Sequence, residues 1–182
     1  EYKMALEYMT KALEIRKTIS GSNHPEVASS YNDLGVFYKD REDCEMALVS
    51  LGQALEIQQS IYESNHPVIA NTYANFGMSY WKQGDSEKAL QYFSKAVEIL
   101  HGTYGNKHPL IENCYRWMTD MCIEQKQYEN AFKFSLKYLE LQSSKDGVYP
   151  GVIANCNIKI KIIHIFMKDY KQALTYIMKA AE

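Results

Sequence analysis

"GSNHPEVASSYNDLGVFYKD", residues 21–40, and "ESNHPVIANTYANFGMSYWKQ", residues 63–83, are two versions of one phrase. Each runs from His-Pro through a small apolar stretch to a Tyr, then to a Gly and a second Tyr. A third version, "NKHPLIENCYRWMTD", occupies residues 106–120. Pro25, Pro67 and Pro109 are 42 residues apart, and Ala5, Ala47, Ala89, Ala131 and Ala173 keep the same step. Self-similarity at a fixed period of this size is the mark of a repeat array, in which each unit is one small supersecondary element. The fourth proline, Pro150, comes one residue early.

Each unit holds two stretches with helical spacing. In the first, Val27, Tyr31, Leu34 and Tyr38 step by four, three and four, which is one face of an α-helix. In the second, Ala47, Leu48, Leu51, Ala54, Leu55, Ile57 and Ile61 make a broad apolar stripe. Proline fits the first turn of a helix, where its missing N–H costs nothing, so the His-Pro loops restart the first helix, helix A, of each unit. An Asn or Ser just before it can cap that helix. Gly35, Gly77, Ala47, Ala54, Ala89 and Ala96 fall where two helices must approach closely. A single helix pair cannot bury its apolar face alone and stacks on its neighbours. The expected register is helix B over 1–20, then A–B pairs over 21–62, 63–104, 105–146 and 147–182. Both ends then fall inside a helix B, so a longer array is expected. One segment conflicts locally: "NIKIKIIHIF", residues 157–166, alternates and is rich in Ile, which reads as a strand by propensity. The repeat frame around it predicts a helix.

These residues resemble the tetratricopeptide repeat, a helix–turn–helix unit with an aromatic, Leu-Gly and Tyr in helix A and two alanines around a bulky residue in helix B. The matching set is Tyr31, Leu34, Gly35, Tyr38, Ala47, Leu51 and Ala54, then Tyr73, Phe76, Gly77, Tyr80, Ala89, Phe93 and Ala96. The longer 42-residue unit with its His-Pro loop is similar to the kinesin light chain group of these repeats. The third unit departs from the pattern at Met118, Thr119 and Cys122, and the fourth at Asn157, Ile160, Lys161 and His164. The resemblance implies an all-α, right-handed superhelical solenoid of stacked antiparallel hairpins.

Composition narrows the function. The formal net charge of the 182 residues is −2, which gives no electrostatic footprint for nucleic acid. Four cysteines are too few for a disulfide scaffold and point to a reduced, cytoplasmic setting. No apolar run approaches the length of a membrane span. His24, His66 and His108 recur in equivalent loops, but stacked units hold such loops about 8–10 Å or more apart. Shared ligation at about 2.0–2.1 Å is out of reach, and loop or capping histidines are expected. Cys114 and Cys156 share a position and are expected as small core residues. No nucleophile–base pair, carboxylate pair or glycine-rich phosphate loop stands out, so neither catalysis nor a cofactor is expected.

The candidate site is the face of helix A off the apolar stripe. Ser29, Asn71, Asn113 and Asn155 share one position on it, and an Asn ladder offers a donor and an acceptor at each rung. The same asparagines could instead solvate the first turn of each helix. By resemblance to the kinesin light chain group, Asn32 and Asn75 line a groove for a cargo peptide; Asp33 and Ala74 depart from that group's paired asparagines. Lys39, Lys82 and Arg116 could meet acidic ligand groups, with Trp81 beside them, while Asp120 and Glu124 argue against a uniformly basic groove. Ile158, Ile162, Ile165 and Phe166 form a possible apolar patch. The expected function is a non-catalytic, adapter-like scaffold that binds an extended protein segment. Two alternatives are a regulatory arm whose groove is filled by another domain of the same protein, and homo-oligomerisation through the apolar face of the fourth unit.

Overall fold

The computed structural model describes residues 2–143, 150–166 and 168, the side chains of 107, 143, 150–155 and 164 excepted. Among the described residues eight α-helices follow in order: α1 (Tyr2–Ser20), α2 (Pro25–Asp40), α3 (Cys44–Ile61), α4 (Pro67–Gln83), α5 (Ser86–Tyr104), α6 (Pro109–Glu124), α7 (Tyr128–Ser143) and α8 (Pro150–Phe166). No strand occurs among the described residues. The helices run as a leading helix, three packed pairs, α2–α3, α4–α5 and α6–α7, and then α8; the final helix B expected within 169–182 lies outside the described residues. The chain forms two compact units, Glu1–Gly105 and Asn106–Glu182.

Helices α2, α4 and α6 each begin on the proline that the period marks. The cap is the histidine before it, and not an Asn or Ser. His24, His66 and His108 have extended backbones, and each Nδ1 accepts a hydrogen bond from the N–H two residues on, at 3.3, 3.3 and 3.2 Å. The imidazole thus satisfies one of the four N–H groups that a helix start leaves without an internal partner. This accounts for the repeated His-Pro.

The turn between helices A and B is equally regular. Asp43, Asp85 and Gln127 donate their N–H to the carbonyls of Tyr38, Tyr80 and Cys122, at 3.0, 2.9 and 2.8 Å. Glu42, Gly84 and Lys126 donate to Lys39, Trp81 and Ile123, each at 3.0 Å. These are the two bonds of a Schellman C-cap, which needs a left-handed residue just past the helix. That residue has φ of 63° at Glu42, 90° at Gly84 and 59° at Lys126, and Lys168 keeps the step at 61°. Asp43 and Asp85 then serve a second purpose: each Oδ1 accepts from the N–H three residues on, at 3.1 Å, and so caps helix B. Three residues separate the A and B helices in the first hairpin and two in the second, so the partners must run antiparallel.

Packing follows from the small residues. A Cβ on Gly35 would lie 2.7 Å from Leu51 Cγ, and one on Gly77 would lie 2.6 Å from Phe93 Cδ1. Helix A therefore rests directly on the bulky residue of helix B. Ala47, Ala54, Ala89 and Ala96 are fully buried beside them. In the first unit Leu13, Val27, Ala28, Leu34 and Ile57 form one cluster, flanked by Leu6, Met9, Tyr31 and Tyr38. Each large apolar side chain buried this way contributes about 1.5–3 kcal/mol. Around α4 and α5 an aromatic stack adds to it: the Tyr92 ring lies 4.9 Å from Phe76 and 5.3 Å from Tyr80, nearly parallel to both. Lys95 sits over Tyr73 and, one period later, Lys137 over Tyr115.

The conflict over residues 157–166 resolves as helix. Within the second unit Ile160 and Ile163 are fully buried and Cys156 and Asn157 nearly so, one helical face, while Ile158, Ile162 and Ile165 lie outside it. Isoleucine propensity for strands is weak and yields to packing of that stripe. Gln142 Nε2 on α7 also reaches Glu112 Oε2 on α6, at 2.7 Å.

Candidate peptide-binding face

In the first unit, helix A of one hairpin meets helix A of the next. Asn75 Nδ2 on α4 donates to Asn32 Oδ1 on α2, at 3.0 Å. Beneath this pair lies a buried polar contact: Thr72 Oγ1 donates to Gln58 Oε1 at 2.8 Å, tying α4 to α3. A hydroxyl has one proton, and the 2.8 Å bond claims it over the 3.4 Å approach to Asn32 Oδ1. The two asparagines are thus held together, half-buried, by a bond that uses one oxygen and one NH2 group. Asn71 stands exposed one turn earlier on α4. Asp33, beside Asn32, has its carboxyl pushed up by desolvation, with Arg16 pulling the other way.

The lysines are more engaged than the sequence implies. Lys82 Nζ donates to the backbone carbonyl of Lys39, at 3.1 Å. It completes the C-terminus of α2, a position that favours a cation. The side chain of Lys39 is only 13% exposed and its ammonium lies 3.2 Å from Asp40. Trp81 is half-buried. So the structure places Asn32, Asn75, Lys39 and Lys82 along the α2–α4 junction, with Asn71 at its rim.

In the second unit, exposed Arg116 donates to Asn113 Oδ1 one turn away on the same helix, at 3.1 Å. Asp120 on α6 pairs with Lys159 on α8 at 2.5 Å. Residue type alone does not single out Lys159, since its partner is 39 residues away. The side chain of Asn155 lies outside the described residues. Ile158, Ile162, Ile165 and Phe166 are 37–55% exposed. They occupy the positions that Asn32, Val36, Lys39 and Asp40 hold in the first hairpin, three periods earlier. The apolar patch therefore stands at the same repeat positions as the amide site, in different chemistry. Phe166 also stacks on Tyr128 of α7, with centroids 5.0 Å apart.

Other chemistry is sparse. Among the described residues no three His, Cys, Asp or Glu side chains gather as a metal site, and no helix is long and apolar enough to cross a membrane. Burial pushes the thiols of Cys114, Cys122 and Cys156 up to about 12, 11 and 11, so they are protonated core groups.

A family model for the tetratricopeptide repeat matches residues 1–60, 34–100 and 68–144. The chain belongs to the tetratricopeptide-repeat family. Solved structures agree on the fold. BtubC (BKLC) from P. vanneervenii superposes with a TM-score of 0.84 at 17% identity, over 99% of this chain and 72% of that one. A putative Podospora anserina kinesin light chain of nearly identical repeats gives 0.81 at 16% identity, over 99% and 85%. The apo form of the quorum sensor NprR from B. thuringiensis gives 0.72 at 21% identity, over 98% of this chain and 48% of that one. No curated protein matches the sequence significantly. A tetratricopeptide-repeat chain of this kind is a protein-interaction scaffold.

Proposed function

We propose that this tetratricopeptide-repeat chain is a non-catalytic, adapter-like module that holds an extended segment of another polypeptide against its helix-A face. The observation that carries this is the Asn32–Asn75 pair. Their mutual bond leaves Asn32 Nδ2 and Asn75 Oδ1 for a ligand, a donor beside an acceptor. That matches the C=O and N–H of one peptide group. Holding both side chains by a bond and by packing lowers the entropy lost when a ligand binds. The exposed Asn71 extends the polar surface along α4. Lys39 and Lys82 act in this reading as the frame of the site, since both are already engaged by protein groups. Arg116 and Asn113 offer a second polar contact point within the second unit.

The test is paired affinity capture from lysate with this chain and with its Asn71→Ala, Asn75→Ala variant, after circular dichroism melts show that both fold. Partners that appear on the first bait and vanish from the second support the reading. Partners that survive the substitutions refute it, because binding then uses another face. A second reading, self-association through the exposed Ile158, Ile162 and Ile165, predicts a mass that rises with concentration in light scattering. A monomer at every concentration removes it.

A further inference from the structure

The second unit departs from the first where helices A and B touch. In the first unit Gly35 rests on Leu51 and Gly77 on Phe93, with Ala54 and Ala96 fully buried beside them. The same repeat positions in the second unit hold Thr119, Ser135 and Tyr138. A serine in the place of a leucine or a phenylalanine leaves space between the helices. A crevice of about 200 Å³ lies there, between α6, α7 and α8, lined by Arg116, Thr119, Ser135, Tyr138, Cys156 and Lys159. Arg116 and Lys159 stand where Asn32 and Asn75 stand two periods earlier. Two amides can bond each other, as those do at 3.0 Å. Two cations cannot, because both are donors only.

The hydrogen-bonding capacity of this lining is uneven. Thr119 Oγ1 and Ser135 Oγ give their single protons to the carbonyls of Tyr115 and Ala131, at 2.8 and 2.6 Å. Of the carboxylates nearby, Glu112 Oε2 accepts from Gln142 Nε2 and Asp120 Oδ1 from Lys159 Nζ, at 2.7 and 2.5 Å. Arg116 spends one arm on the neutral amide of Asn113 and forms no ion pair among the described residues. Burial first, and then Cys156, Glu112 and Asp120, push the Tyr138 hydroxyl up, with Arg116 opposing, so it keeps its proton and remains a donor. The crevice is thus faced by the remaining N–H groups of Arg116 and Lys159 and by a phenol O–H. Such a set calls for an acceptor, and charged donors are strongest towards an anionic one.

We infer that this crevice is a subsite for one side-chain carboxylate, that of an Asp or Glu in the polypeptide segment held against the helix-A face. The inference rests on the function proposed for that face and adds what the segment must carry. The carboxylate meets the guanidinium fork of Arg116, the spare N–H groups of Lys159 and the hydroxyl of Tyr138. In this reading paired amides take the main chain in the first unit, and the same repeat positions take a charged side chain in the second. The charges of Glu112, Arg116, Asp120 and Lys159 cancel, so the crevice takes one added negative charge at much lower cost than the two of a phosphate.

The probes are short randomised peptides displayed against the whole chain. A selected peptide is then labelled and titrated by fluorescence anisotropy in two forms, with its Asp or Glu and with the matching Asn or Gln. On the native protein the amide form is expected to bind at least about tenfold more weakly. On an Arg116→Gln, Lys159→Gln variant that melts as before, the two forms should bind alike, and Tyr138→Phe should narrow the gap between them. Arg116 is exposed, so Arg116→Gln alone gives the same readout if the double change destabilises the fold. Two results overturn the inference and leave the proposed function standing: selected peptides that share no acidic position, or an amide form that loses as much on the variant as on the native protein. Selection of no peptide at all overturns both.

Discussion

Gly52→Ala and Gly77→Ala are the same substitution on two helices, and the packing predicts opposite signs. Gly52 lies mid-helix in α3, and a Cβ there meets nothing within 4 Å. Alanine should stabilise that helix by about 0.5–1 kcal/mol, because glycine loses more conformational freedom on folding. At Gly77 the same gain in helix propensity is present, but the Cβ would sit 2.6 and 2.7 Å from two atoms of the Phe93 ring. Phe93 is fully buried, with no room to swing aside. Relieving the clash means moving α4 off α5 or forcing the ring off its rotamer, which costs about 1–3 kcal/mol or more. The net effect at Gly77 is a loss of up to about 2.5 kcal/mol, centred near 1, once the propensity gain is subtracted. In a domain of about 150–250 residues each kcal/mol moves the midpoint by about 2–4 °C. Thermal melts followed by circular dichroism should therefore place Gly52→Ala above wild type and Gly77→Ala several degrees below it. Repeat arrays open unit by unit, so hydrogen exchange of α4 and α5 should locate the loss there. If Gly77→Ala melts with or above Gly52→Ala, glycine is present at position 77 for some reason other than close approach to Phe93.

Four further outcomes follow from the same geometry. Glu42→Gly and Lys126→Gly should each stabilise by about 1 kcal/mol, since both residues hold a left-handed φ that disfavours a side chain; an unchanged urea midpoint would contradict this. Thr72→Val should cost about 1–3 kcal/mol in urea unfolding, because it strands the buried Gln58 oxygen without its donor. With a thiol reagent at pH 8 the native protein should show one accessible cysteine, half-buried Cys44, while Cys114, Cys122 and Cys156 react only after unfolding, being buried and raised to about 11–12. The Asp85 carboxyl is held below its usual 3.8, first by its side-chain bond with Lys88 and then by the Lys88 N–H. A lowered folded-state pKa gives stability that is complete above 3.8 and lost as pH falls through the lower folded value. Amide exchange in the first turn of α5 should speed up over that acid range, and Asp85→Asn should flatten the dependence.

The repeat period and the proline marks were enough to place α1 to α8, because helix order in an array is set by one-dimensional spacing. Local propensity misled only at residues 157–166, and there the frame was the stronger constraint: a strand would have broken the stripe that buries Ile160 and Ile163. The turns were half legible. "DRED" and "KQGD" announce a break, but the left-handed step at residues 42, 84 and 126 shows as glycine only once, so the period is hidden by Glu and Lys at the other two. The cap was misassigned in part for a similar reason. Asn and Ser are commoner caps, and nothing in a sequence says that an imidazole nitrogen will point back at its own helix.

The engagement of the candidate side chains was not legible in the sequence. By residue type, Lys39, Lys82 and Arg116 read as cations that could meet acidic ligand groups. In the fold Lys39 is shielded beside Asp40, Lys82 completes α2, and Arg116 holds Asn113. Each of these depends on contacts made by the folded backbone, across one turn or some forty residues, and residue type alone does not report them. The Asn32–Asn75 bond is the same kind of feature: the two residues are 43 apart, one more than the period, so they are not equivalent positions at all. That offset has a physical sense. Along α2 and α4 a residue on one helix meets a residue one position farther along the next, and Lys82 reaching the carbonyl of Lys39 repeats the 43-residue step, whereas Asp120 of α6 and Lys159 of α8 pair at 39 residues. The offset pair locks one amide with another and leaves Asn32 Nδ2 and Asn75 Oδ1 outside that bond. The direction of that offset, and not the count of asparagines, is what makes the α2–α4 junction a candidate binding face.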